Sequence, residues 1–490
     1  MADDDKKRRS SGGGSKSGSK SSGKKSTGKK SSSSGKTTSA RSSSSGGSSD
    51  SVAVKAGRAV AKKIGWKARI IITVLVGVIL GVSMIWENRI NVALGLTKQT
   101  DTGEYNGQTN AEVVAAAKDK GALNVHFVDV GQGDACIVEL PDDKKMLIDC
   151  ADGKTENTNA VLDYIDKNIK TKDGKTMDKF DYVILTHSDS DHCGSMASVL
   201  DKYPAVNFYR PNVAANYKDK KTGEVYVDPS LKNMKDYRTK DTRAYKNAIE
   251  AGCKNAENVY INSVNLDPIV ADDKDNDGNP DYDYKLSFYG PNSDNYTDWN
   301  NYSPIMILEF GDKRFALTGD CEKEGEADFV EKVGKAKGKS VAEDKFAVFT
   351  DDFTVDVIKA GHHGSRTSTS SAFIEAITTK NNIGNVLMVI SCGFGNSYGH
   401  PHREKLEQFR ADGIKDENVL RTDRNGSIVL SVHADAAGEF QLFHGANAVV
   451  RSESTSVDWR YIAICIFAVV FLILIVEPLI RTLTKKAKRK

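Results

Sequence analysis

The chain has 490 residues, 28% of them charged, yet a formal net charge of only +3. That sum hides a division: residues 1–69 carry 18 Lys and Arg against 4 Asp and Glu, residues 477–490 carry 6 against 1, and the stretch between holds 45 against 61, a net −16. An acidic middle excludes a broad Lys/Arg surface for nucleic acid, so any such contact must come from a local patch or from bound metal.

In chain order, residues 1–54 are a Ser, Gly and Lys tail without apolar periodicity. Nothing there offsets the entropy of ordering, which predicts disorder. The tail reads equally as a solvated spacer or as a basic arm for anionic lipid or nucleic acid. An apolar run follows at Ile70 to Ile85, bounded by Trp66 and Trp86, and a second occurs at Tyr461 to Val476, between Trp459 and Pro478. With its amphipathic flanks, each reaches the roughly 20 residues of a bilayer span. Transmembrane helices are therefore expected over 66–87 and 459–480, the first too far from Met1 for a cleaved signal peptide. Lys55, Arg58, Lys62, Lys63, Lys67 and Arg69 precede the first run. Arg481, Lys485, Lys486, Lys488, Arg489 and Lys490 sit in the basic tail 481–490. Their distribution predicts cytoplasmic termini and an extracytoplasmic middle, at the cell membrane.

Residues 88–121 read as a polar stalk with one short helix near Ala111 to Lys118. A folded domain is expected over 122–446. Strands are predicted at Leu123–Asp129, Ala135–Leu140, Met146–Asp149 and Tyr182–Thr186, with a helix at 157–169. Further strands are expected at 285–289, 305–310, 314–317, 355–359, 386–391, 427–432 and 439–443, interleaved with helices at 322–333, 371–377 and 402–411. Strand clusters alternating with helices indicate an α/β layered domain, interrupted by a polar insertion at 205–284. Cys465 lies in the second apolar run, whereas Cys136, Cys150, Cys193, Cys253, Cys321 and Cys392 fit either disulfides of an exported domain or small buried thiols.

Thr186-His187-Ser188-Asp189-Ser190-Asp191-His192 places two His and two Asp within six residues, at the exit of a buried strand. A turn there converges side chains on one point, and that density of ligand-type groups favours a metal site over a solvated loop. Asp320, His362, His363, Ser365, His400 and His402 also follow strand-like runs, and Asn301 and Ser303 precede one.

The order Asp-Val-Gly-Gln-Gly-Asp (129–134), Leu-Ile-Asp (147–149), His-x-Asp-x-Asp-His (187–192), Thr-Gly-Asp (318–320), His-His-Gly-Ser (362–365) and Tyr-Gly-His-Pro-His (398–402) resembles the metallo-β-lactamase-type domain of ComEC competence proteins, a DNA-uptake family. The resemblance implies an αββα sandwich with two divalent ions, zinc or manganese, at one edge of the sheets. It implies His187, Asp189, Asp191 and His192 as metal ligands, Asp320 as the carboxylate bridging both ions, and His362 as the remaining ligand with His363 as its competitor. Asp191 would orient the attacking water and accept its proton. Asn301, Ser303, Ser365, His400 and His402 would line the substrate side, while His126 and residues 129–134 would be structural. Two departures stand out: Asp189 replaces an imidazole, as in ComEC-type domains, and no His occurs between 193 and 319 to supply a ligand usual in the superfamily. Carboxylate for imidazole favours harder ions, which keeps manganese level with zinc. Two apolar runs do not make the multi-helix channel of ComEC proteins, so transport does not carry over.

A weaker signal is Asp273, Asp275 and Asp277 at loop positions one, three and five, with Gly278 at six and Asp281 at nine, which resembles a calcium loop. Tyr284 at position twelve and the lack of flanking helices favour a solvated acidic turn. The expected function is metal-dependent phosphodiester hydrolysis, with DNA as the implied substrate. A hydrolase of another phosphate ester or envelope component, and a non-enzymatic metal-stabilised binding module, are the rivals.

Overall fold

The structure is a computed structural model that describes residues 65–85, 98–101, 107–116, 121–234, 237–261, 266–272, 282–448, 451–454 and 459–489. The basic tail 1–54 and the acidic loop carrying Asp273, Asp275, Asp277 and Asp281 lie outside the described residues.

Two sheets face each other. The larger, of nine strands among the described residues, runs in space Glu257–Ile261, Ala205–Pro211, Phe180–Ile184, Lys145–Ile148, Cys136–Glu139, Leu123–Phe127, Ile428–Ala434, Phe440–Ala446 and Gln108–Thr109. The other has seven, in the order Ile269–Val270, Tyr284–Phe288, Met306–Phe310, Lys313–Leu317, Val357–Lys359, Leu387–Ile390 and Val419–Arg421. Period-two alternation explains the layering, because successive side chains leave opposite faces of a strand. Met306, Leu308, Phe315, Leu317, Val357 and Val389 point between the sheets, toward Leu123, Val125, Phe127, Met146 and Leu430. Their neighbours Ile307, Ala316, Ile358, Met388 and Ile390 face outward, onto a cluster with Phe329, Phe373 and Phe409 of the helices Lys323–Ala336, Ser371–Ile377 and Arg403–Asp412. On the far side of the larger sheet, Leu147, Val183 and Phe208 pack with Val161, Val199 and Ile249 of the helices Thr155–Asn168, Met196–Lys202 and Arg243–Gly252. The layers are helix, sheet, sheet, helix.

Two expectations need correction. Residues 205–284 are not simply an insertion, since Ala205–Pro211 continues the larger sheet parallel to Phe180–Ile184, and Glu257–Ile261 pairs parallel beyond it. Composition concealed this because the buried Arg210 stands where an apolar residue would mark a strand, neutralised by Asp228. Only part of the stretch projects, as a small sheet ordered Arg238–Lys240, Val213–Lys218 and Val225–Val227. Within the expected stalk, Lys98–Asp101 is a strand paired antiparallel with Arg451–Ser454.

A helix spans Trp66–Ile85, and a continuous helical stretch runs Trp459–Phe471, Leu472–Val476 and Glu477–Ala487, with a π-helical turn in the middle. The segments Trp66–Ile85 and Trp459–Phe471 pack against each other. Among the described residues one helix, Ile462–Ala487, is long and apolar enough by length and composition to cross a membrane. All seven cysteines are free thiols.

Candidate metal centre

Strand ends of both sheets deliver the polar groups. Phe180–Ile184 exits into Thr186 and His187, and the short helix Ser190–Cys193 begins at Asp189 and carries Asp191 and His192. Lys313–Leu317 exits into Asp320, and Val357–Lys359 into the His362-His363 turn. Both of those histidines have positive φ, 48° and 55°. Side chains seldom adopt that conformation, and it is found where the surroundings enforce it. Two glycines permit the close approaches. At Gly133 (φ 128°) a Cβ would stand 2.5 Å from the Asp191 carbonyl oxygen, and at Gly319 (φ 50°) 2.8 Å from Thr186 Oγ1.

Four ligand atoms converge. His192 Nε2 lies 3.1 Å from Asp320 Oδ2 and 3.3 Å from His363 Nε2, and His363 Nε2 lies 3.3 Å from both Asp320 Oδ2 and Asp191 Oδ2. His192, His363 and Asp320 are buried, while Asp191 keeps 22% of its side chain exposed. The far side of each ring is anchored. His192 Nδ1 meets Asp149 Oδ2 at 2.7 Å, and Asp149 also accepts from Thr186 N and Oγ1. His363 Nδ1 donates to the Ser391 carbonyl at 3.0 Å. Such partners fix the tautomer and turn Nε2 toward the centre.

Burial disfavours the imidazolium of His192 and His363, but the surrounding carboxylates together outweigh it, Asp320 foremost with Asp149 beside His192 and Asp134 beside His363, and hold both well above the ordinary imidazole range. Burial likewise opposes ionisation of Asp320 and Asp191, yet the histidines hold both carboxyls well below theirs. Asp320 Oδ1 and His187 Nε2 are buried without a hydrogen-bond partner. Leaving such atoms unpaired costs about 1–3 kcal/mol each, and imidazole and carboxylate donors so arranged suit a divalent ion.

Asp134 is the residue the sequence undersold. It forms, with His192, Asp320 and His363, a buried group whose ligand atoms lie within 4.8 Å of one another. Its carboxylate nevertheless reaches both rings from the Nδ1 side, at 3.8 and 3.4 Å, and pairs with the buried Lys359 ammonium at 2.6 Å. We therefore place it behind the rings as their support. Burial works against its charge, but Lys359 and the histidines hold it down to about 2.

The profile of the metallo-beta-lactamase superfamily matches residues 128–383. The chain belongs to the metallo-β-lactamase superfamily. Among curated relatives, ComE operon protein 3 of Bacillus subtilis (strain 168) is 27% identical over 320 residues, 62% of this chain and 32% of that protein. Competence protein ComA of Neisseria gonorrhoeae is 30% identical over 143 residues, 29% and 17% of the two chains. Recombination protein 2 of Haemophilus influenzae is 23% identical over 290 residues, 59% and 26%. These relatives support a ComEC-like member of the superfamily, and the matched part spans a third or less of each.

Within this metallo-β-lactamase domain the remaining expected residues separate. His362 stands aside: its Nε2 is 3.8 Å from Asp320, its Nδ1 is held by Glu322 at 2.8 Å, and 23% of its side chain is exposed. The geometry favours His363 for the inner position. Asp189 is held by Lys240 at 2.6 Å. His187 is buried, with Nδ1 against Thr186 Oγ1 and Ser303 Oγ. Ser303 faces inward rather than toward a substrate, since its hydroxyl accepts from Asp320 N. Asn301 is also buried, its Oδ1 accepting from Glu322 N and Gly325 N at the start of Lys323–Ala336. Neither position leaves an atom free to line a substrate. Asn300 beside Asn301 is buried too, with Nδ2 3.3 Å from His362 Nδ1. His400 stacks on His363 and meets His362 edge-on, and burial followed by those two neighbouring charges pushes its pKa down to about 2, so it is a neutral imidazole. His402 Nδ1 accepts from Arg366 N beside it. Ser365 Oγ pairs with Thr367 Oγ1 at 2.9 Å. His126 lies elsewhere, between Tyr164 and Glu139.

Proposed function

We propose that this chain is a membrane-anchored, extracytoplasmic, metal-dependent phosphodiesterase that cleaves DNA. The carrying observation is the convergence of His192 Nε2, His363 Nε2 and Asp320 Oδ2 within 3.3 Å of one another, with Asp191 Oδ2 3.3 Å from His363 Nε2 and Asp149 behind His192. Those four groups, with His187 adjoining, would hold a divalent ion, zinc or manganese. An ion held there would lower the pKa of a water to about 7. Asp191, partly exposed and ionised, is the carboxylate that would orient a water and take its proton. His362 and the neutral His400, whose Nδ1 is buried without a partner, face the departing group and donate to oxygens that gain charge. Ser365 and His402 flank them. DNA as substrate draws on the competence and recombination names of the relatives.

The membrane anchor draws on the apolar helix Ile462–Ala487 and its partner Trp66–Ile85, whose Ile71, Val74, Leu75, Val78 and Ile79 are exposed. Basic flanks on both support cytoplasmic termini. The net −16 of residues 70–476 favours one rival, hydrolysis of a smaller phosphate ester, because it repels a long polyanion.

The test is hydrolysis of single- and double-stranded DNA beside a panel of small phosphodiesters by the full chain in detergent, with and without metal. DNA cleavage lost on chelation and in Asp191→Ala is the expected result. Turnover confined to small esters would hand the function to the rival.

A further inference from the structure

We propose that Lys240 supplies the second positive charge of this site: the chain holds one divalent ion, and the Lys240 ammonium stands in for another and grips an oxyanion of the substrate. This rests on the metal-dependent function proposed above and goes beyond it, because the superfamily resemblance implies two ions.

Once Asp191, His192, Asp320 and His363 have converged, the motif leaves His187 and Asp189 for a second ion. Asp189 is committed elsewhere. Its Oδ1 lies 2.6 Å from Lys240 Nζ, within charge-assisted hydrogen-bond distance. A divalent ion bound by Asp189 would sit beside that ammonium, and like charges at such range repel. His187 then remains one imidazole, and no His between 193 and 319 joins it. The donor set fits one ion and not two.

Lys240 does not reach Asp189 by chance of a flexible arm. Its strand, Arg238–Lys240, is pinned parallel to Val213–Lys218. Its Nζ lies 4.9 Å from the centre of the Trp299 ring, and the Arg238 guanidinium covers the same ring at 4.1 Å. Cations over an indole face are held by its quadrupole. Trp299 opens the turn Trp299–Tyr302, which carries Asn300 against His362. The projecting part of 205–284 is thus fastened to both rims of the site, at a carboxylate and at an indole. With only 15% of its side chain exposed, Lys240 is a pre-positioned ammonium next to the metal-binding motif, and a phosphoryl oxygen is the anion such a group takes.

The experiment uses the full chain in detergent, stripped by chelation and dialysed against manganese or zinc. Bound metal is counted by elemental analysis, and inorganic phosphate binding to the loaded protein is measured by calorimetry. One ion per chain is expected in the wild type and in Lys240→Met, with phosphate affinity falling about 10-fold or more in Lys240→Met and recovering in Lys240→Arg. Two tightly held ions in the wild type overturn the inference and leave the proposed function standing, whereas no ion at all removes both. Unchanged phosphate affinity in a folded Lys240→Met, or failure of Lys240→Arg to restore it, overturns the role of Lys240.

Discussion

His363 and His362 are neighbours in sequence with almost the same backbone conformation, yet they meet different fates, and so do His192 and Asp189. In the inner pair the far atom is tied to a fixed acceptor, Asp149 for His192 and the Ser391 carbonyl for His363, and Nε2 is turned to the centre. In the outer pair His362 is also gripped at Nδ1, by Glu322, but its Nε2 is left 3.8 Å from Asp320 and its ring partly exposed, and Asp189 gives Oδ1 itself to Lys240. Ligand residues are therefore not defined by type and spacing alone. Where the anchoring partner stands, and so how near it leaves the other atom to Asp320, decides.

Breaking the support should hurt most. Lys359→Met strands the buried Asp134 carboxylate behind both inner rings. Removing one partner of a buried pair costs about 3–5 kcal/mol, so thermal or denaturant unfolding of this variant should show the largest destabilisation of the set. His363→Ala should weaken metal binding by more than the roughly 10–100-fold that follows loss of an outer partner, while His362→Ala keeps the metal and loses turnover. Metal titration of both variants checks this, and equal losses would erase the distinction.

The inner pair also predicts a pH signature in metal-free protein. His192 and His363 have folded pKa values raised above their unfolded value of about 6.5. Their contribution is thus fully present below about 6.5 and is lost as pH rises through the raised values. The melting temperature of the chelated chain should fall across that alkaline range, and the decline should shrink when metal is bound. A chelated chain whose melting temperature holds steady there would contradict the inner arrangement. Smallest of all, Asn301→Ala removes the cap of Lys323–Ala336 and should cost about 1 kcal/mol of stability with metal affinity unchanged.

Much of this was legible in the sequence. Short apolar runs ending in His or Asp located the strand exits. What was not legible depends on contacts between distant segments. Asp134 reads as part of a glycine turn until Lys359, more than two hundred residues later, is seen against it. Choosing His363 over His362 needs Ser391 and Glu322 in place. Asn301 and Ser303 look like exposed polar groups, and only the fold shows backbone amides claiming them. Arg210 disguised a sheet strand because its partner Asp228 lies outside that strand.

The central claim is that His192, His363, Asp320 and Asp191 grip a divalent ion that activates water. Stepwise addition of manganese or zinc to the chelated full chain, following bound metal and phosphodiester cleavage in the same samples, tests it most directly. The account predicts cleavage rising in proportion to metal held, and neither metal nor cleavage in Asp320→Asn. A correctly folded wild-type chain that retains no tightly bound ion and turns over nothing at any added concentration would contradict it.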